Sequence, residues 1–96
     1  MQFTRKISKS EHQRKFIYFN KKYEKYLPPP GEKFQATIND RKIDVCFDLE
    51  SRIWLGSKYF ENIFNFEVNQ ILEITVDVES DLFVIKTADN SKFDIN

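Results

Sequence analysis

His12 is the one histidine and Cys46 the one cysteine among 96 residues, so the side chains behind most nucleophilic and metal chemistry occur once each. A single histidine cannot supply the paired imidazoles of an HEXXH zinc site. A single cysteine makes neither an internal disulfide nor a cysteine-built zinc site. A Cys–His dyad needs a reachable thiol, but Cys46 stands mid-strand between Val45 and Phe47, which predicts a buried structural cysteine. The carboxylate pairs Asp48/Glu50 and Asp77/Glu79 fall on exposed strand faces, without the apolar surroundings that raise a carboxyl pKa. The acids Asp77, Glu79 and Asp81 have no lysine at a spacing that suits Mg²⁺-dependent nuclease chemistry. No glycine-rich phosphate loop occurs, and the chain has only two glycines. The expectation is that this chain is not an enzyme by itself and uses no metal or other cofactor.

Charge carries more information than catalysis does. Residues 1–31 hold eight Lys or Arg against two Glu, a net of +6, and residues 32–96 hold seven basic against thirteen acidic side chains, a net of −6. A net charge of zero therefore conceals a basic N-terminal third, the footprint of a side that faces a polyanion. The alternative is a solvated basic face with no ligand. DNA affinity follows local Lys and Arg placement rather than the total, so zero net charge does not argue against it.

Elements that position these charges follow from periodicity. Pro28-Pro29-Pro30-Gly31 cannot sit in a helix or a central strand and predicts an extended bend. Before it, residues 15–19 read as a buried strand, and Asn20 caps a short helix over residues 21–26 that Leu27-Pro28 ends. Phe34, Ala36 and Ile38 alternate with polar residues, Asn39-Asp40 turns, and Ile43, Val45, Phe47 and Leu49 alternate again, which predicts a hairpin with one wet face. Residues 52–55 return as a strand ended by Gly56. Ser57 is the expected N-cap of a second short helix over residues 58–64, with Phe60, Ile63 and Phe64 in the core. Leu72 to Val78, Leu82 to Ile85 and Lys92 to Ile95 supply the remaining strands. About seven short strands, too close together for βαβ crossovers, predict a mostly antiparallel closed or pseudo-closed barrel.

Hydrophobic residues make up 41% and charged residues 31%, a balance that excludes a disordered tail. The length fits one domain spanning residues 1–96. No apolar run approaches the ~20 residues of a membrane span, and no apolar stretch follows the N-terminal charges as in a secretory signal. The expectation is a cytoplasmic protein with no membrane partner.

Two stretches resemble a known family. Residues 6–28, from Lys6-Ile7-Ser8 through the basic run Glu11-His12-Gln13-Arg14-Lys15, the strand Phe16-Ile17-Tyr18-Phe19 and the stop Leu27-Pro28, resemble the opening of the B-three DNA-binding pseudobarrel. Residues 51–74, with Arg52-Ile53-Trp54-Leu55-Gly56 and Phe60 ahead of Leu72-Glu73-Ile74, resemble that family's strand, helix and following strand. Asn69-Gln70 stands where the family usually has Gly-Asp, and Asn tolerates the left-handed turn that such a position needs. The His12-Gln13 dipeptide and Tyr18 are closer to the recognition or effector-binding domains of EcoRII-type restriction endonucleases. The resemblance spans roughly residues 5–78.

That resemblance implies a mostly β, seven-stranded open pseudobarrel, antiparallel-rich, with two short helices. It implies sequence-specific binding of double-stranded DNA, with two arms gripping the major groove. The first arm corresponds to residues 8–15 and the second to the hairpin tip, residues 48–52. Arg14 or Arg52 suits guanine O6 and N7, Gln13 suits adenine, and Glu50 or Asp48 suits the cytosine amine. Lys6, Lys9, Lys15, Lys21 and Lys22 suit phosphates. With Ser10, Glu11, His12, Tyr18 and Ser51, these are the expected DNA-binding residues. The resemblance further implies the target-recognition part of a restriction-modification system, monomeric as an isolated domain, with the nuclease on another segment or chain. The last expected strand ends one residue before the chain does, which fits a segment of a larger restriction enzyme.

Two other readings use the same residues. An AbrB-type half barrel would regulate transcription as a dimer, and a protein-interaction barrel would use the acidic surface of residues 32–96. Trp54 is expected to pack at the barrel end rather than stack on bases, Arg52 has a bland reading as a surface partner of Glu50, and Tyr23 and Tyr26 are expected to cover the core.

Overall fold

In the computed structural model, which describes residues 1–88, side-chain alternation sorts each strand into an inner and an outer face. Leu72, Ile74 and Val76 are buried, with Glu73 and Thr75 between them only half-buried. Seven strands form in this way: β1 (Gln2–Lys6), β2 (Phe16–Tyr18), β3 (Phe34–Ile38), β4 (Arg41–Val45), β5 (Arg52–Trp54), β6 (Ile71–Asp77) and β7 (Leu82–Thr87). They divide into a five-stranded sheet of order β1-β6-β7-β3-β4 and a two-stranded ladder of β2 and β5. Only β3 and β7 pair in parallel; the other pairs are antiparallel. The result is the expected open pseudobarrel, mostly β.

Aromatic contacts hold the two sheets together. Phe19, directly after β2, meets Phe47 at 5.1 Å and Phe83 of β7 at 5.6 Å between ring centroids. An isolated bridge between Phe47 and Ile53 carries pairing from the end of β4 toward β5. Fully burying a side chain of this size contributes roughly 1.5–3 kcal/mol relative to leaving it exposed.

Several local expectations hold. Asn39 and Asp40 both have positive φ, 47° and 68°, the backbone of a type I′ hairpin turn between β3 and β4. Asn69 adopts φ 67°, so it occupies the left-handed position without a glycine. Asn20 caps residues Lys21–Tyr26 by accepting the Lys22 N–H, although the segment winds as a 3-10 turn.

Other expectations need correction. No element was expected ahead of residue 15, yet Lys9–Arg14, within the basic run, forms a short helix, α1. Ser8 accepts the Glu11 N–H and the Glu11 carboxylate accepts the Ser8 N–H, a reciprocal cap that satisfies two donors a bare helix start leaves open. Among the described residues there are thus three short helical segments rather than two. β1, which was not expected, pairs along β6 as an edge strand. Cys46 is exposed rather than buried, because Val45 and Phe47 take the inward positions and the pleat turns the residue between them outward. Leu49 is 84% exposed at the hairpin tip, since regular pairing in β4 ends at Val45. Ser57 is helical and makes no capping bond, and Lys58–Ile63 winds as a π-type turn in which the Phe64 N–H reaches Tyr59 C=O. Of its expected core residues, Phe60 is buried, whereas Ile63 and Phe64 are half-buried. The strand expected at residues 92–95 lies outside the described residues.

Candidate nucleic-acid interface

The ladder of β2 and β5 is three residues long, pairing Phe16 with Trp54, Ile17 with Ile53 and Tyr18 with Arg52. Its central pair is buried, Ile17 at 0% and Ile53 at 1% exposure. Alternation therefore turns the two outer pairs to the opposite face. Trp54 is 45% and Tyr18 36% exposed there. The Phe16 ring lies 4.8 Å from the indole and is covered, at 6% exposure.

The first arm, α1, is moored by Glu11. Its carboxylate pairs with both terminal nitrogens of Arg5 on β1 and accepts the backbone N–H groups of Ser8 at 2.9 Å and Tyr18 at 2.6 Å. Burial pushes the Glu11 carboxyl up, but the Arg5 hydrogen bond and the Tyr18 and Ser8 N–H groups outweigh it, so the net pKa is lowered. Glu11 is thus a structural anchor facing inward, which removes it from the expected DNA contacts. Lys15 is anchored as well. It closes α1 in the left-handed conformation, φ 67°, and its ammonium donates to His12 C=O at 2.7 Å and pairs with Glu61. His12 is half-buried, with its ring edge-on to Phe60 at 5.8 Å. The outward residues of this arm are Lys9, Ser10, Gln13 and Arg14.

The second arm is the tip from Asp48 to Ser51, and one carboxylate organises it. Asp48 Oδ1 accepts the N–H groups of Glu50 at 2.8 Å and Arg52 at 3.0 Å, and Oδ2 accepts Arg52 Nε and Trp54 Nε1, each at 2.8 Å. Burial pushes this carboxyl up, and the bonds from Trp54, the Arg52 and Glu50 backbone and the Arg52 side chain bring it down to about 2. Arg52 therefore pairs with Asp48, not with Glu50. Ser51 is buried with φ 61°, and its C=O accepts the Phe19 N–H at 2.8 Å. Ser51 shapes the tip rather than facing outward, while Glu50 is exposed.

Both arms leave from the same ladder. The Lys15 C=O accepts the Leu55 N–H at 3.0 Å at one end, and the Phe19–Ser51 bond closes the other. Between them, the guanidinium of Arg14 lies 5.4 Å from the Trp54 ring and 5.7 Å from Phe16. That of Arg52 lies 5.1 Å and 5.6 Å from the same two rings. Lys21 and Lys22 are exposed just beyond Phe19 in the chain.

No protein family and no curated protein matches the sequence. Solved structures do. The N-terminal domain of Helicobacter pylori LlaJI.R1 superposes with a TM-score of 0.62 at 16% identity, over 91% of this chain and 86% of that one. The Arabidopsis thaliana protein At1g16640.1 gives 0.66 at 19%, over 92% and 89%, and an Arabidopsis FUS3–DNA complex gives 0.65 at 17%, over 91% and 95%. The fold is B-three-like.

On this B-three-like fold, α1 and the Asp48–Ser51 tip flank one ladder, and several side chains on them face other ways than the sequence suggests. Trp54 was expected to be packing alone. It does pack on Phe16, yet it stands nearly half exposed between two arginines from different arms. The signal was present in the sequence, because Ile53 takes the buried position and its neighbours must turn outward.

Proposed function

We propose that this chain binds double-stranded DNA in the major groove, reading sequence with Arg14 and Gln13 from α1 and Arg52 and Glu50 from the hairpin tip. The observation that carries the reading is the convergence of Arg14 and Arg52, from separate arms, on one exposed indole. Guanidinium groups are suited to guanine O6 and N7, and each good bidentate contact is worth ~1–3 kcal/mol of discrimination. Lys9, Lys21 and Lys22 contact phosphates and set register. Tyr18, opposite Arg52 on the same outer face, lines the groove-facing side. The likeness of the fold to that in a FUS3–DNA complex supports this reading.

The resemblance of His12-Gln13 and Tyr18 to restriction-enzyme recognition domains supports a narrower role. In that role the domain selects the target of a restriction-modification enzyme, and a nuclease on another segment or chain cuts. Selection of bound duplexes from a randomised pool tests the reading, with Arg52→Ala in parallel. The expected result is a short enriched motif that relaxes at one position in the variant. An empty selection, with no duplex retained even at low salt, overturns it.

A further inference from the structure

Asp48 has the residue type of a cytosine reader, but its geometry gives it another task. A carboxylate offers about four lone-pair sites, and all four are taken within the second arm by Glu50 N–H, Arg52 N–H, Arg52 Nε and Trp54 Nε1. No acceptor capacity remains for a base. Arg52 spends Nε on this contact, and among the described residues neither of its terminal nitrogens donates to a protein acceptor. Its outer fork is left in a fixed plane, the arrangement that bidentate guanine recognition uses. Arg14 has no protein acceptor among the described residues either, and its contacts are the Phe16 and Trp54 rings. Trp54 is thus the shared element: it donates to Asp48 and carries a guanidinium from each arm.

We propose that Asp48 and Trp54 are specificity-determining positioning residues, a pedestal that holds the guanidinium forks of Arg52 and Arg14 ready for guanine before DNA arrives. This inference rests on the DNA reading above. Neither residue needs to touch a base. Holding a rotamer-rich side chain in advance removes an ordering cost that binding otherwise bears, an effect on the order of threefold to tenfold per side chain.

The test uses the full chain, the duplex it selects, the same duplex with one guanine replaced, and a scrambled duplex, at fixed salt. Asp48→Asn and Trp54→Phe are compared with wild type, and thermal melting reports folding. Trp54→Phe keeps an aromatic ring and removes only the Nε1 donor and the larger face, so it serves where Asp48→Asn melts early. The expected result is a threefold to tenfold loss of discrimination at the guanine that Arg52→Ala relaxes. Affinity for the scrambled duplex and the slope of log K against log salt stay unchanged, because phosphate contacts lie elsewhere. In an Asp48→Asn/Arg52→Ala double variant the first change adds no further loss at that guanine, since Asp48 acts there through the Arg52 guanidinium. Full discrimination in both folded single variants, with a discriminating wild type, overturns the pedestal and leaves the DNA reading standing. A wild type that retains no duplex overturns both.

Discussion

Glu11 Oε2 accepts the backbone N–H of Tyr18 at 2.6 Å, so a single carboxylate on α1 fixes the first arm to the strand that carries the outer aromatic face. The same carboxylate receives both terminal nitrogens of Arg5 and the N–H of Ser8. β1, α1 and β2 therefore meet at one ionised group with 2% exposure.

Breaking this junction is expected to be costly. Glu11→Ala removes the acceptor of two backbone N–H groups and the charge partner of Arg5, whose guanidinium keeps only the Tyr18 and Lys6 carbonyls. With Arg5 partly exposed, the loss falls at the low end of the about 3–5 kcal/mol that breaking a buried pair costs. Urea denaturation of the variant measures the loss.

Acid should act through the same group. Its pKa is lowered from 4.5 in the folded chain, so the unfolded chain binds the proton more readily. The stability contribution is complete above about pH 4.5 and drains away as pH falls through the depressed native value. Wild type is thus expected to lose stability as pH falls from about 4.5 through the depressed native value, by ~1.4 kcal/mol for each unit of pKa difference. Glu11→Ala should be flatter there by its share. Equal slopes in the two proteins would show that other carboxylates carry the acid sensitivity.

The element order from β2 to β7 was legible in the sequence, because period-two alternation, the Asn39-Asp40 turn and the Asn20 cap are local signals that tertiary packing did not contradict. β1 was not legible. Gln2-Phe3-Thr4-Arg5-Lys6 has only one apolar residue, and it is a strand because β6 offers an unpaired edge beside it. Glu11 was misplaced for a related reason. A charged residue in a basic run reads as surface, and its burial depends on Arg5 being delivered from β1. Cys46 shows the reverse failure, in which residue type outweighed register, whereas Trp54 packs on Phe16 as expected and only its exposure was not foreseen. Ile53 and Val45 mark the inward positions of their runs, and the pleat alone sends Trp54 and Cys46 outward.

Salt dependence separates the lysines. Lys9, Lys21 and Lys22 are exposed, and replacing any one by alanine is expected to weaken binding to all duplexes alike and to reduce the slope of log K against log salt by about 0.9. Lys15→Ala is expected to leave that slope unchanged, because its ammonium is held by His12 C=O and Glu61. Titrations at three salt concentrations decide it. A Lys15→Ala slope lower by about one would mean that this side chain leaves Glu61 for a phosphate on binding.

Turn chemistry gives a change in the opposite direction. Asp40 sits at φ 68° in an exposed two-residue turn whose first residue, Asn39, accepts the Thr87 N–H at 2.8 Å through its side chain. Glycine adopts such a φ without the steric cost a Cβ brings, and Asn-Gly is the preferred pair for a type I′ turn. Asp40→Gly keeps the Asn39 contact and removes an acidic side chain from the turn between β3 and β4. The variant is expected to be more stable by about 0.5–1 kcal/mol, read as a higher urea midpoint at unchanged m. Duplex discrimination should match wild type, since β3 and β4 lie in the sheet that does not carry Arg14, Trp54 or Arg52. A lower midpoint would mean that the carboxylate of Asp40 contributes more to the turn than its backbone geometry costs.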